Sequence, residues 1–141
     1  MKFIISFFFF VFLNNPSLSE EFKAEYTLKT KGLTIGKLYW SVNIQKESYE
    51  TLIKLKNKGF LSSVFKFDGN YKVSGKNINN TLVPKEYDQK WSTNKKQRDV
   101  KIIFKDHKIT NLKILPEETE VQRFEYLELV GYNDPLTSFL N

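Results

Sequence analysis

Apolar and polar residues alternate along most of this chain, which is the pattern of β-strands with one buried face and one solvated face. The first such run alternates with charged residues and threonine, and its apolar members are Phe22, Ala24, Tyr26 and Leu28. Six further segments read as strands: 38–44, 49–56, 67–73, 85–93, 98–104 and 109–115. Because turn-forming residues separate these segments, the pattern predicts a mainly β domain built as an antiparallel meander.

The alternation of apolar and polar residues is interrupted at three places. The short apolar stretch 60–65 follows Gly59, which favours a helical turn or a loop laid over the sheet. Pro84 lacks a backbone N–H, so it is expected to open the next strand or to lie on a sheet edge. In 117–130, acidic residues precede apolar residues at helical spacing, and Gly131 follows. This last segment favours a helix, although the same residues would also make an irregular strand.

The end of the chain carries the signal of a helix start. Asp134 is a preferred N-cap residue, and Pro135 then occupies the first helical position. We therefore expect a short helix over 135–141, although a helix of this length is unstable without tertiary contacts.

The first nineteen residues have the order of a secretory signal peptide. Lys2 provides a positive start, the stretch 3–13 is apolar, and small residues lead to Ser19. An apolar run of about 11 residues is shorter than the ~20 that a membrane span needs. We therefore predict cleavage after Ser19 and export of a single β-rich domain over 20–141.

Composition limits the chemistry that the chain can carry. It has no cysteine, which excludes disulfides, thiolate nucleophiles and thiolate metal sites. The formal net charge is +6, but only two of the 22 basic residues are arginines. Nucleic-acid readers favour arginine for bidentate contacts, so a solvated lysine-rich surface is the better interpretation, and we expect no nucleic-acid partner. Peripheral contact with an anionic membrane remains compatible with the charge.

No constellation for catalysis, metal or cofactor binding stands out. His107 is the only histidine and falls in a polar turn. A Ser-His-Asp arrangement would therefore have only this one histidine to use as its base. The one cluster of carboxylates consists of Glu117, Glu118 and Glu120, which suit a solvated helix start. We therefore predict no catalytic residues, no metal and no cofactor.

The aromatic residues are the best candidates for a binding site. Trp40 and Trp91 fall on the same predicted face, and Phe60 and Phe65 flank the short apolar segment. One interpretation is that the tryptophans fill an ordinary core. The other is that they line a cavity for an apolar ligand, with Phe60 and Phe65 in a lid at its mouth.

The chain resembles a bacterial family catalogued as domain of unknown function 3108. The residues that carry the resemblance are turn glycines, core aromatics and the terminal motif: Tyr26, Gly32, Leu33, Gly36, Tyr49, Gly59, Tyr71, Gly75, Leu82, Pro84, Tyr87 and 134–138. The resemblance implies an exported, periplasmic protein of the Gram-negative envelope, with an antiparallel sheet that curls into a half-open, barrel-like form. Members of the family continue beyond the terminal motif. The chain is therefore either a short single domain or the N-terminal half of a longer one.

Two functional hypotheses follow from these features. The first is a non-catalytic envelope protein that binds an amphiphile on the curved sheet, with lysines steering an anionic head group. The second is a structural or assembly factor of the envelope that binds a partner protein through an exposed sheet edge. An enzyme is the third alternative. It would require a continuing chain to supply the catalytic residues.

Overall fold

The computed structural model describes residues 19–59, 61–117, 125 and 128–141. Within these residues the elements are β1 (Glu20–Thr30), β2 (Leu33–Ile44), β3 (Ser48–Asn57), α1 (Leu61–Val64), β4 (Phe67–Ile78), β5 (Thr81–Thr93), β6 (Gln97–Lys105), β7 (Lys108–Leu115) and α2 (Pro135–Leu140). The strands form one antiparallel sheet in the order β1-β2-β3-β4-β5-β6-β7. This sheet is not closed, and the predicted mainly β, half-open meander is confirmed.

The register of the strands gives the sheet two different faces. Residues directly opposite one another in neighbouring strands point to the same side. Trp40 pairs with Ile53, Ile53 with Tyr71, and Tyr71 with Gln89. One row of side chains therefore crosses four strands on a common side, which we call the inner face. The face assignments that the two-residue period predicted for both tryptophans are confirmed, since Trp91 pairs with Gly69 on this same side.

The buried core occupies only part of the inner face. Its members lie on β3 to β7, and they are Tyr49, Val73, Leu82, Tyr87, Phe104 and Ile109. Leu136 and Leu140 of α2 pack against this cluster. By contrast, Phe22 and Tyr26 on β1 are 44% and 47% exposed. The sheet thus has a packed half under α2 and an open half at β1.

Pro84 lies inside a central strand, and the expectation that it opens a strand or lies on an edge is wrong. It pairs with Gly75, and the register between β4 and β5 shifts at Ser74 and Gly75. The shift marks a β-bulge, which is the other position that tolerates proline in a sheet. The bulge leaves Lys85 without a Cα partner in the register of β4.

The short helical turn predicted for 60–65 is confirmed as α1, whereas Phe60 itself lies outside the described residues. Most of the candidate helix over 117–130 also lies outside them. At its described end, Val130 forms an isolated antiparallel bridge with Lys108. The amide of Gly131 also donates to the carbonyl of His107 at 2.8 Å. These contacts attach the segment to the β6–β7 turn, so a helix does not extend to Val130.

The opposite, outer face carries charges of both signs. Its ion pairs connect neighbouring strands in several places: Lys37 with Glu25, Lys72 with Glu50 at 2.8 Å, Lys56 with Asp68 at 3.0 Å, and Lys101 with Glu86 at 2.7 Å. All of these side chains are exposed, so each pair adds less than about 1 kcal/mol. The outer face is therefore the solvated side that the lysine-rich composition predicts. No helix among the described residues has the length and apolar character of a membrane span.

Candidate binding groove beside the C-terminal helix

The terminal helix α2 begins at a complete N-cap. Asp134 is 2% exposed and has extended backbone angles. Its Oδ1 accepts hydrogen bonds from the amides of Leu136 and Thr137 at 2.9 and 3.0 Å. A cap of this kind stabilises a helix by about 1 kcal/mol. The predicted helix over 135–141, with Asp134 as cap and Pro135 first, is therefore confirmed as α2.

Two side-chain contacts fix α2 against the sheet. Thr137 Oγ1 donates to Asp134 Oδ2 at 2.5 Å and is also hydrogen-bonded to the hydroxyl of Tyr49 on β3. At the other end, the side chain of Asn141 accepts from the amide of Leu82 at 3.0 Å and donates to its carbonyl at 3.1 Å. A helix of six residues has too few internal hydrogen bonds to persist alone. These contacts are therefore what holds α2 in place over the inner face.

An apolar groove lies between α2 and the first three strands. Its volume is about 460 Å³, within the range of small-molecule sites. The residues that line it are Tyr26, Leu28, Leu38, Trp40, Thr51, Ile53, Pro135, Leu136 and Phe139. The groove is thus formed by the open half of the inner face together with one side of α2.

Trp40 stands at the centre of an aromatic row along this groove. Its ring lies 5.2 Å from the ring of Phe22 in an edge-to-face arrangement. On its other side, the ring of Phe139 lies 5.4 Å away. Phe139 is 72% exposed, so this ring forms a wall of the groove that remains accessible to solvent.

The polar atoms of Trp40 and Thr51 in the groove wall already have partners. The indole Nε1 of Trp40 donates to Thr51 Oγ1 at 3.1 Å. Thr51 Oγ1 in turn donates to the carbonyl of Ser41 at 2.9 Å. An apolar molecule that covers these groups would therefore leave no new donor or acceptor unsatisfied at them.

Of the predicted ligand-binding residues that the structure describes, only Trp40 belongs to this groove. Trp40 lines it, whereas Trp91 lies three strands away on β5. Phe65 follows α1 and is 50% exposed, and its carbonyl accepts a hydrogen bond from Asn57. Phe60 lies outside the described residues, as do Glu118, Glu120 and the predicted signal peptide before Ser19.

Apart from Trp40, the residues that line the groove were not predicted as ligand-binding, and three of them are on α2: Pro135, Leu136 and Phe139. The local sequence predicts a helix, and the spacing of Leu136, Phe139 and Leu140 puts these three side chains on one face of it. It does not say which part of the sheet that face would cover. That information depends on contacts such as Tyr49 with Thr137, which join residues far apart in the sequence.

Burial perturbs two tyrosines of the core next to α2. The pKa of Tyr49 is raised to about 12, chiefly by desolvation; the Thr137 hydrogen bond opposes this rise and the nearby Asp134 carboxylate contributes to it. Desolvation likewise raises the pKa of Tyr87 to about 12, with Asp134 contributing in the same direction. Both phenols are therefore neutral near pH 7, and Tyr49 is available as a hydrogen-bond donor to Thr137.

Among the residues that the structure describes, no group of three or more His, Asp or Glu side chains is placed to hold a metal ion. His107 lies exposed in the turn between β6 and β7, as the sequence pattern predicted.

Comparison with known proteins gives one match. A family model described as "Protein of unknown function (DUF3108)" matches residues 23–141, from β1 through α2. No curated protein and no solved structure matches the chain.

Proposed function

The chain belongs to the DUF3108 family of proteins of unknown function, and we propose that it is a non-catalytic protein that binds the apolar chain of an amphiphile. The binding site in this proposal is the groove between α2 and the inner face of β1, β2 and β3. The proposal includes export to the cell envelope, for which the support is the sequence of residues 1–19.

The single observation that carries the proposal is the chemistry of the groove wall. The wall has the volume of a ligand site, and apolar and aromatic side chains dominate it. The polar atoms of Trp40 and Thr51 are paired with each other and with the backbone. Such a wall favours hydrocarbon over a polar ligand, since burial of each CH₂ group contributes about 0.8 kcal/mol.

The described lining of the groove does not provide a charged site for the head group of an amphiphile. No lysine is among the described residues that line the groove. The lysines of the central strands, such as Lys54 and Lys72, instead lie on the outer face, one strand position out of phase with the inner-face residues Ile53 and Tyr71. We therefore propose that the apolar chain provides the affinity and that the charge of the head group has little effect.

A fluorescent fatty acid tests this proposal directly. Ile53 and Leu52 are neighbours on β3, and only Ile53 lines the groove. Ile53→Trp would fill the groove and is expected to weaken binding of the fatty acid at least tenfold. Leu52→Trp is the matched control on the outer face, and it should bind as the wild type does. Circular dichroism of both variants verifies that the sheet is retained.

Native mass spectrometry of the purified protein provides a second measurement. Co-purified amphiphile should be released from the wild type and be absent from Ile53→Trp. A wild-type protein that is free of ligand and also fails to bind the fatty acid would exclude the proposal. Equal binding by wild type and Ile53→Trp would place the ligand elsewhere.

A further inference from the structure

The strand β1 lies at one end of the sheet that the described residues form. It is eleven residues long, and among the described elements only β2 pairs with it. Proteins that keep such an edge strand solvated usually shorten it, place proline or charged residues in it, bulge it, or point a charge inward from its middle. β1 has charged residues on its outer face and a register shift between Leu28 and Lys29 near its end, but its central inner positions hold Phe22, Ala24 and Tyr26 and no inward charge.

The side chains of β1 are complementary to those of an antiparallel copy of the same strand. We infer that β1 pairs with β1 of a second copy of this chain, with Ala24 opposite Ala24 on a two-fold axis. This register puts Phe22 opposite Tyr26 of the second copy on the inner face, and Lys23 opposite Glu25 on the outer face. Aromatic pairs and opposite charges are the cross-strand pairs that stabilise a sheet, and the two-fold axis makes each of them twice.

The existing ion pairs extend the complementarity on the outer face. Glu25 is paired with Lys37 of β2, and Lys23 is paired with Glu21 at 2.5 Å. Across the joined edges, Lys37 and Glu25 of one copy would be followed by Lys23 and Glu21 of the second copy. Opposite charges thus alternate across the junction.

Registers with the two-fold axis at Lys23, Glu25 or Tyr26 lack this match. A two-fold axis at Lys23 opposes Lys23 to itself and Glu21 to Glu25. An axis at Glu25 opposes Glu25 to itself, and an axis at Tyr26 opposes Lys23 to Lys29. Like charges directly opposite each other destabilise strand pairing. The register centred on Ala24 is therefore the one of these four that pairs opposite charges and opposes no like ones.

The pairing would also change the surroundings of the groove. Tyr26 and Leu28 line it from β1, and Phe22 and Tyr26 are the inner side chains that remain half exposed at this edge. A second sheet joined at β1 would cover this exposed flank with the aromatic side chains of the other copy. The pairing itself requires no ligand, so it stands or falls independently of the proposed function.

Charge reversal at the two central outer positions tests the register. Lys23→Glu opposes two glutamates across the axis, and Glu25→Lys opposes two lysines. Each variant alone is expected to dimerise at least tenfold more weakly than the wild type in sedimentation equilibrium. An equimolar mixture of the two variants should recover dimer. In the mixed dimer the introduced glutamate of one chain faces the introduced lysine of the other, and the two unchanged residues at these positions also form an opposite-charge pair.

A cysteine at the axis gives an independent measurement. The chain has no cysteine, so Ala24→Cys introduces a single thiol that would face its own copy. Mild oxidation should then convert most of the protein into a covalent dimer. Asn70→Cys, exposed on the central strand β4, is the control and should remain largely monomeric.

Two results would overturn the inference. One is a wild-type protein that sediments as a monomer at about 100 µM. The other is a mixture of Lys23→Glu and Glu25→Lys that dimerises no better than either variant alone, with circular dichroism showing that both variants are folded.

Discussion

Three buried polar residues lie near the terminal helix, and two of them, Asp134 and Thr137, belong to its N-terminal end. Thr51, Asp134 and Thr137 are at most 2% exposed. Each has hydrogen-bond partners: Thr51 bonds to Trp40 and to a backbone carbonyl, and Thr137 connects Asp134 to Tyr49. A buried polar group without a partner costs about 1–3 kcal/mol. The bonds of Thr137 to Asp134 and Tyr49 therefore favour one placement of α2 over others that would bury the same apolar area.

The pKa of Tyr49 predicts how stability depends on alkaline pH. The phenol of Tyr49 has a pKa of about 12 in the folded state and about 10 in the unfolded state. Its protonated form therefore adds to the free energy of unfolding, and this contribution is fully present below pH 10. That contribution, roughly 2–3 kcal/mol, is lost as the pH rises from 10 to 12. Tyr49→Phe should be about 1 kcal/mol less stable at pH 8, because it lacks the hydrogen bond to Thr137. Between pH 10 and 12 its stability should fall less steeply than that of the wild type.

Urea unfolding at several pH values measures this difference. Tyr132→Phe is the control, since Tyr132 is 63% exposed and its replacement should change the free energy of unfolding little. Parallel stability curves for wild type and Tyr49→Phe above pH 10 would contradict the assignment of the raised pKa.

At this scale the sequence predicts which face a residue occupies, but not which partner it meets. Alternation within β2 and β3 placed Trp40 and Tyr49 on the inner face, and the register confirms it. The bond between Tyr49 and Thr137 joins residues 88 positions apart. No local pattern encodes such a contact, so the burial of Thr137 could not be derived from its neighbours.

At the scale of elements, the bulge between β4 and β5 is the main departure from a regular meander. Gly75 lies against β5 at the bulge, where a β-carbon would overlap the carbonyl oxygen of Val83 and lie 2.9 Å from Cα of Pro84. The absence of a side chain at Gly75 therefore lets the two backbones approach. A bulge is one of the positions in a sheet that tolerate a proline, which accounts for Pro84 in a central strand.

Gly75→Ala is expected to destabilise the protein by about 3 kcal/mol or more, because the backbone of Val83 and Pro84 and the ring of Tyr49 would have to move. Ser74→Ala is the matched control, one position earlier on the outer face, and it should change the free energy of unfolding by less than about 0.5 kcal/mol. Urea unfolding of both variants gives the comparison. Equal effects of the two substitutions would show that the close approach at Gly75 is not required.

The strands and short helices were largely predictable because their signals are local. Alternation located all seven strands, and the Asp134-Pro135 cap located α2. Pro84 was misplaced because the sequence rule allows an edge, a strand start or a bulge. The choice among them depends on Gly75, which belongs to a different strand.

At the scale of the whole molecule, the buried core and the groove divide a single sheet between them. The core cluster lies on β3 to β7 under α2, whereas the groove opens toward β1. The sequence predicted the meander and the shared face. It did not predict this division, because the apolar residues of β1 and β2 alternate as regularly as those of β4 and β5. Only the position of α2 distinguishes the two halves.

A matched pair of leucines measures this division. Leu82 is 4% exposed in the core, and Leu38 lines the groove with part of its surface accessible. Leu82→Ala should lower the free energy of unfolding by about 3 kcal/mol, since it leaves a cavity in packed surroundings. Leu38→Ala should lower it by less than about 1.5 kcal/mol, since less of that side chain is removed from water. Similar losses at both positions in urea unfolding would argue for one continuous core.

The placement of α2 over one half of the sheet has a consequence for how such a chain can change over time. Side chains around Leu38 and Ile53 are only partly buried and are expected to contribute less to the folding free energy than those of the core, so replacing them would alter the shape and size of the space they enclose while the domain still folds. Variation at these positions would be expected to shift selectivity for guest molecules. Variation around Val73 and Leu82 would instead be removed because the chain would unfold.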